Sequence, residues 1–321
     1  MDVFITNESA LEFWRMRRCS KEILDYRKCA RKPPSESSVS SVQHCGKAWG
    51  LTLPLDIMVG ELGSRRPSKA VRPHVCSKPL PDGSFVDAGD GLYVGSPELC
   101  FFQMAGEYPL ARLIALGIEL CGSYSLPGTA SGGAGQAASD QSPYNLPTLT
   151  TKRKLKAFVA RMEGRPGYRN AIKALGYIAD CSASPMETIL FILLVLPYRY
   201  GGYGLPVPEL NGRIDPEKGE KQFTGRSFYR GDLLWREAKV IAEYNSDLEH
   251  ADPVKIAEDA IRRSNLDICG FQEVTVTKNQ IKNLDLLDKV ARQIAVRTGK
   301  YLRCKDQVFK KAQRGLLRVL L

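Results

Sequence analysis

Asp232 and Glu243 are the residues of this chain whose types and spacing could do chemistry together. They stand in SFYRGDLLWREAKVIAEYNSDLEH, residues 227–250. The stretch reads as two short strands, Ser227–Trp235 and Lys239–Asn245, joined by a polar turn at Arg236–Ala238. If the turn is centred between Glu237 and Ala238, residue 232 falls opposite residue 243, and directly opposite residues share a face. Two carboxylates held side by side amid Leu233, Leu234, Val240 and Ile241 repel each other unless a proton or a cation lies between them. A divalent-metal site needs that arrangement. The plain alternative is a solvated hairpin face that carries two unrelated acids.

Other side chains add to the candidate set. Glu187 is a further acid, although Ser184-x-x-Glu187 is also a capping box, in which Ser and Glu satisfy backbone N–H groups at a helix start. His250 is one of three histidines; with an ordinary pKa near 6.5 it suits a general base, and it equally suits an exposed loop. Arg262 and Arg263 would grip a phosphate or pair with Glu258 or Asp259 at helical spacing. Lys152, Arg153 and Lys154 form a basic run that would meet nucleic-acid phosphates or face water. Gln272 could turn toward the acids. Tyr198–Pro208 mixes Tyr, Arg and Gly, as stacking loops do, and as ordinary turns with aromatic packing do.

The elements that must position these residues follow a pattern. A helix starts at Ser184-Pro185 and runs to about Leu196, where Pro197 stops it. Leu205–Ile214 predicts an edge strand, because Pro206 and Pro208 are tolerated only there. The hairpin comes next, then a helix from Asp252-Pro253 to about Asn265, a strand at Phe271–Thr277, and a helix at Gln280–Thr298. The order predicts a mixed sheet flanked by helices. Toward the N-terminus, residues 8–31 predict a basic helix with Leu11, Trp14, Ile23 and Tyr26 as packing positions. The Ser-rich SESSVSS reads as loop. Leu51–Val59, Val71–Cys76 and Leu92–Val94 read as strands. Ser96-Pro97-Glu98 opens a helical hairpin interrupted at Pro109.

The fold class expected is therefore α/β in the broad α+β sense. A smaller α+β domain would span 1–122, a flexible Gly/Ser/Pro linker 123–151, and the mixed-sheet domain 152–321 with a basic C-terminal tail.

A formal charge of +11 points to a polyanion partner or an anionic surface. Nine cysteines, scattered and without a C-x-x-C pair, argue against a zinc site or disulfide scaffold and for a reducing cytoplasm. No signal-peptide layout opens the chain, and the longest apolar run, Ile189–Leu196, is far short of the roughly 20 residues a membrane span requires. Phosphate-binding glycine loops and nucleophile-elbow motifs are absent, so nucleotide cofactors and serine hydrolysis have no support.

The ordered set S-P-M-E-T (Glu187), Y-R-G-D-L-L-W (Asp232), E-Y-N-S-D-L-E-H (Glu243, His250), D-A-I-R-R and F-Q-E-V-T-V-T, over roughly residues 180–300, resembles the PD-(D/E)XK restriction-endonuclease-like superfamily, and within it the very-short-patch-repair-type endonuclease domains. The resemblance implies a metal-dependent DNA endonuclease. Asp232 and Glu243 would hold Mg²⁺ or Mn²⁺, Glu187 would support the site, and His250 would act as base. Position 245 departs from the pattern: the superfamily places Lys there, this chain has Asn245, and catalysis is thereby put in doubt while the fold is not. Residues 45–120, notably G-S-P-E-L-C-F-F-Q-M-A, are similar to the antitoxin half of the AbiE type of toxin–antitoxin system. That likeness implies a DNA-binding or regulatory module with a toxin or other protein partner. The alternative function is accordingly a non-catalytic DNA-binding, antitoxin-like regulator that keeps the nuclease fold.

Overall fold

A computed structural model describes residues 2–19, 27–29, 32–35, 37–61, 67–76, 78–127, 142–224, 226–245, 253–302 and 306–321, apart from the side chains of Arg27–Cys29, Pro253 and Lys255. His250, Ile23, Tyr26 and the Gly/Ala/Ser-rich stretch 128–141 lie outside the described residues. The chain has mixed α and β content and divides into two compact units, Met1–Gly176 and Tyr177–Leu321.

The first unit contains β1 (Val3–Ile5), α1 (Asn7–Arg18), β2 (Arg27–Cys29), α2 (Val39–Trp49), β3 (Leu55–Val59), β4 (Val71–Val75), β5 (Phe85–Gly89), β6 (Leu92–Gly95), α3 (Pro97–Met104), α4 (Leu110–Cys121), α5 (Lys152–Ala160) and α6 (Tyr168–Leu175). Its strands form one mixed sheet in the order β2-β5-β6-β1-β3-β4. The short apolar strand β1 lies inside this sheet, parallel to β6 and antiparallel to β3, with all its residues buried.

Three expectations about this unit need correction. The helix expected over 8–31 ends at Arg18, and Arg27–Cys29 is a strand. The basic residues at its end turn inward. Arg18 is buried and donates to the carbonyls of Pro147, Glu119 and Tyr124, and Arg15 pairs with Glu119 at 2.7 Å. The acceptors are the Glu119 carbonyl in the last turn of α4 and carbonyls of the segments that follow it. The serines read as loop instead start α2: Ser38 Oγ accepts from the Ser41 N–H, the capping role that makes Ser frequent just before a helix. Finally, the division between units falls after Gly176, and not at 123–151. Helices α5 and α6 pack on α3 and α4, and Asn170 Nδ2 donates to the carbonyls of Ala105 and Tyr108. Composition marked the flexible-looking stretch, whereas burial of Leu155, Phe158 and Val159 decides where the unit ends.

The second unit contains α7 (Pro185–Val195), β7 (Glu209–Ile214), α8 (Lys218–Thr224), β8 (Tyr229–Trp235), β9 (Val240–Asn245), α9 (Pro253–Ile268), β10 (Gln272–Thr277), α10 (Lys278–Lys282), α11 (Leu284–Thr298) and α12 (Gln307–Leu320). The sheet order is β10-β9-β8-β7, so the Pro-flanked β7 is at an edge as its sequence predicts. β7, β8 and β9 run antiparallel. β9 and β10 are parallel, as a strand pair joined by a crossover helix must be, and α9 is that helix.

Two further differences concern the end of the chain. The single helix expected at 280–298 breaks at Asn283, whose Oδ1 accepts from the N–H groups of Asp285 and Leu286 and caps α11. The basic tail is the amphipathic helix α12, which buries Phe309, Gln313 and Leu316. Gln313 donates to the Tyr203 hydroxyl, which donates to Asp288, each at 2.6 Å. Gly201 explains the glycine pair in YRYGGYG: its φ is +86°, and a Cβ there would stand 2.5 Å from the Ala312 carbonyl oxygen of α12. That loop packs its tyrosines: Tyr203 is fully buried and Tyr198 meets Phe309 edge-on.

Candidate acidic site

The site is built on the register of β8 and β9. Leu233 pairs with Ala242, Leu234 with Ile241 and Trp235 with Val240. One further step would set Asp232 opposite Glu243, as the hairpin arithmetic requires. There the backbone ladder gives way to side-chain bonding: Asp232 Oδ2 accepts the Tyr244 N–H at 2.8 Å. The carboxyls of Asp232 and Glu243 are within hydrogen-bonding reach of each other. Burial, the neighbouring Glu243 charge and the shared hydrogen bond push Asp232 up to about 8, although the Tyr244 N–H and Arg262 oppose the rise. Burial also raises Glu243, against the opposing pull of Arg262.

Glu187 reaches this pair from α7. It is buried, and burial followed by the Asp232 charge raises its pKa. Its capping role is present as well. The Ser184 hydroxyl accepts the Glu187 N–H at 3.2 Å, and Glu187 Oε2 accepts the Ala183 N–H at 2.9 Å, one residue before the cap position. The same oxygen accepts Asn211 Nδ2 from β7 at 2.8 Å. Capping and proximity to Asp232 are thus both true of Glu187.

Arg262 lies on the other flank. Its Nη2 donates to Glu243 and to the Arg230 carbonyl, and its Nη1 donates to Glu273 at 2.7 Å. The pairing with Glu258 or Asp259 that helical spacing suggests is replaced by pairing with acids from the sheet. Arg263, half exposed, stands 3.5 Å from Glu273 and donates to the Thr275 hydroxyl at 3.2 Å.

Glu273 joins the candidate site without having been singled out in the sequence. In the parallel register Glu273 pairs with Ile241 and Thr275 with Glu243, so 273 and 275 share the face of Glu243. Gln272 pairs with Val240 and takes the opposite face, which corrects the expectation that it turns toward the acids. Alternation in FQEVTVT offered the choice of faces, and only the register with β9 makes it. A cleft of about 440 Å³ opens along β10, lined by Arg263, Glu273, Thr275, Gln280 and Gln293 among others.

Asn245 ends β9, paired with Thr277, two residues beyond Glu243. Lys152, Arg153 and Lys154 begin α5, in the first unit, and so do not belong to the unit that carries the acids. Among the described residues no group of three or more His, Cys, Asp and Glu side chains is clustered tightly enough to hold a metal ion by itself. The arrangement is a row of Glu187, Asp232, Glu243 and Glu273, in which carboxyls outnumber the two guanidiniums beside them and a proton fills part of the deficit.

No family model matches the chain, and no solved structure matches it. Two curated proteins of Mycobacterium tuberculosis are similar to part of it, one from strain CDC 1551 / Oshkosh and one from strain ATCC 25618 / H37Rv, both described as uncharacterized. Each is 27% identical over 124 residues, which is 39% of this chain and 41% of the relative. The match therefore spans less than half the length of either relative. No helix among the described residues is long and apolar enough to cross a membrane.

Proposed function

We propose that the second unit is a metal-dependent nuclease-fold domain that binds DNA and hydrolyses phosphodiester bonds, acting in the cytoplasm. The observation that carries this reading is the convergence of Glu187, Asp232 and Glu243 from a helix and two adjacent strands, where burial raises the pKa of all three carboxyls.

The donor set fits Mg²⁺ or Mn²⁺: hard carboxylate oxygens, an excess of negative charge, and a shared proton that a dication would replace. Asp232 and Glu243 would hold the ion, and Glu187, tied to Ala183 and Asn211, would steady Asp232. When bound, such an ion supplies Lewis-acid polarisation of a phosphate and a lowered pKa for water. Arg262 and Arg263 would share their guanidinium N–H groups between Glu243, Glu273 and a backbone phosphate. His250, by the resemblance, would take the proton of the attacking water. The net charge of +11 supports a phosphate-rich partner, and binding should weaken steeply with salt.

Two observations favour the second reading, a DNA-binding regulator without catalysis. Asn245 stands where the superfamily places Lys and brings no positive charge. Glu243 is already ion-paired to Arg262. One comparison decides between the readings: cleavage of plasmid and short duplex DNA with Mg²⁺ or Mn²⁺ by wild type and by Asp232→Ala. Metal-dependent cleavage lost in the variant supports the enzyme. Salt-sensitive binding with no cleavage by either protein supports the regulator.

A further inference from the structure

Helix α9 carries its apolar side chains on the outside. Its inner side turns Arg262 to Glu243 and Glu273 and packs Leu266 into the cluster with Ile241 and Phe271. On the outer side stand Val254, Ile256, Ile261 and Ile268, between 44% and 64% exposed. Val254, Ile261 and Ile268 recur every two helical turns and so form one stripe. A helix at a protein surface ordinarily does the reverse, with its apolar stripe inward and its charges in water.

Phe223 extends the stripe from α8. It is 75% exposed, and the next residue, Thr224, accepts Asn265 Nδ2 of α9 through its carbonyl at 3.4 Å. The five side chains leave on the order of 500 Å² of apolar surface exposed. With the small residues between them, the patch approaches the roughly 800 Å² that each partner of a stable interface buries.

Charge selects the occupant. On the helical wheel, the one ionisable side chain described between Ile256 and the stripe is Asp267, exposed near the C-terminal end of α9. A nucleic acid would need cations there and would meet an acid. A second copy laid antiparallel fits. It brings Asp267 to the N-terminal, partially positive end of the partner's helix, and Ile268 to the level of the partner's Val254. A parallel pair would instead set Asp267 beside a negative helix end.

We propose that the outer face of α9 is a self-association surface, through which two chains pair by antiparallel α9 helices about a two-fold axis. Sedimentation equilibrium of the full chain should show a reversible dimer that persists in about 1 M salt, where bridging by nucleic acid is lost. Ile261→Glu and Ala257→Glu, both at exposed positions, should each raise the dissociation constant about a hundredfold by placing a charge in an apolar contact. Their circular dichroism should stay that of the wild type, because Glu is a good helix former. Asp267→Lys should weaken the dimer about fivefold, and Val296→Glu, at an exposed position of α11, should leave it unchanged. A chain that stays monomeric overturns the proposal, also where it pellets with anionic lipid vesicles through Ile261, since the face would then be a membrane contact. A dimer that the two Glu variants of α9 leave intact, or that Val296→Glu weakens equally, overturns it as well. Tightening by Asp267→Lys would overturn the antiparallel arrangement.

Discussion

The Asp232 carboxyl accepts the Tyr244 N–H at 2.8 Å just where backbone pairing between β8 and β9 stops. A side chain thus stands in for a strand carbonyl, and the two strands are tied at that point through an acid. The bond fixes Asp232 beside Glu243 and leaves its second oxygen for a proton or a cation.

Stability should depend on pH through this acid. The folded value of about 8 lies far above the ordinary aspartate value near 3.9, so between those limits the folded state binds more protons than the unfolded one. Its contribution is therefore full below about pH 4, declines as pH rises toward 8, and is lost above that. Glu187 and Glu243 are raised too and act in the same sense. Asp232→Asn keeps an acceptor for the Tyr244 N–H and removes the charge. Urea denaturation should find the variant close to wild type near pH 4 and more stable on the order of 1 kcal/mol at pH 8 to 9. A wild-type-to-variant difference that is constant with pH would show that Asp232 titrates alike in the folded and unfolded states.

Removing Arg262 should have the opposite pH signature. Arg262→Gln leaves Glu243 and Glu273 facing each other without their shared cation. A loss of about 2 kcal/mol is expected at pH 8, below the range for fully buried pairs because the arginine is about a quarter exposed. Acidification to pH 5 should recover part of the loss as the carboxyls take up protons. Equal losses at both pH values would mean that packing of the side chain, and not its charge, is what matters.

Divalent metal should act on the same groups. Millimolar Mn²⁺ is expected to raise the melting temperature of wild type by a few degrees at pH 8. The gain should shrink at pH 6, where protons compete for Asp232, and vanish in Asp232→Asn. Differential scanning fluorimetry reads all three, and an undiminished gain in the variant would place the ion elsewhere.

The unit boundary can be tested by truncation. A fragment of residues 1–176 should melt cooperatively, as should 177–321, because each keeps its own core. Residues 1–151 should not, since loss of α5 and α6 strips the cover from α3 and α4. Thermal circular dichroism distinguishes a sharp transition from a gradual one.

Local signals in the sequence were sufficient for much of the second unit. Ser184-Pro185 is a helix start by its own hydrogen-bonding chemistry, the proline-flanked strand β7 lies at a sheet edge, and the turn at 236–238 is enough to bring residue 232 opposite 243. Those are effects within a few residues, and they survive whatever the rest of the chain does. The same locality misled where a polar run had a buried use: Ser38 starts a helix, Arg18 is clamped among carbonyls, and α12 buries one face of a basic tail.

The sequence by itself determined the mixed class of the fold, the acids Asp232 and Glu243 on neighbouring strands, and the helix cap that carries Glu187. Only the tertiary structure decided what faces those acids. The parallel register of β10 against β9 selects Glu273 over Gln272, and the crossover of α9 carries Arg262 to Glu243 in place of its helical neighbours. It also assigns α5, with Lys152–Lys154, to the unit without the acids. The physical reason is range: caps and turns are bonded within a few residues, whereas register, crossover packing and burial depend on partners that are distant in sequence and meet only when the whole unit has folded.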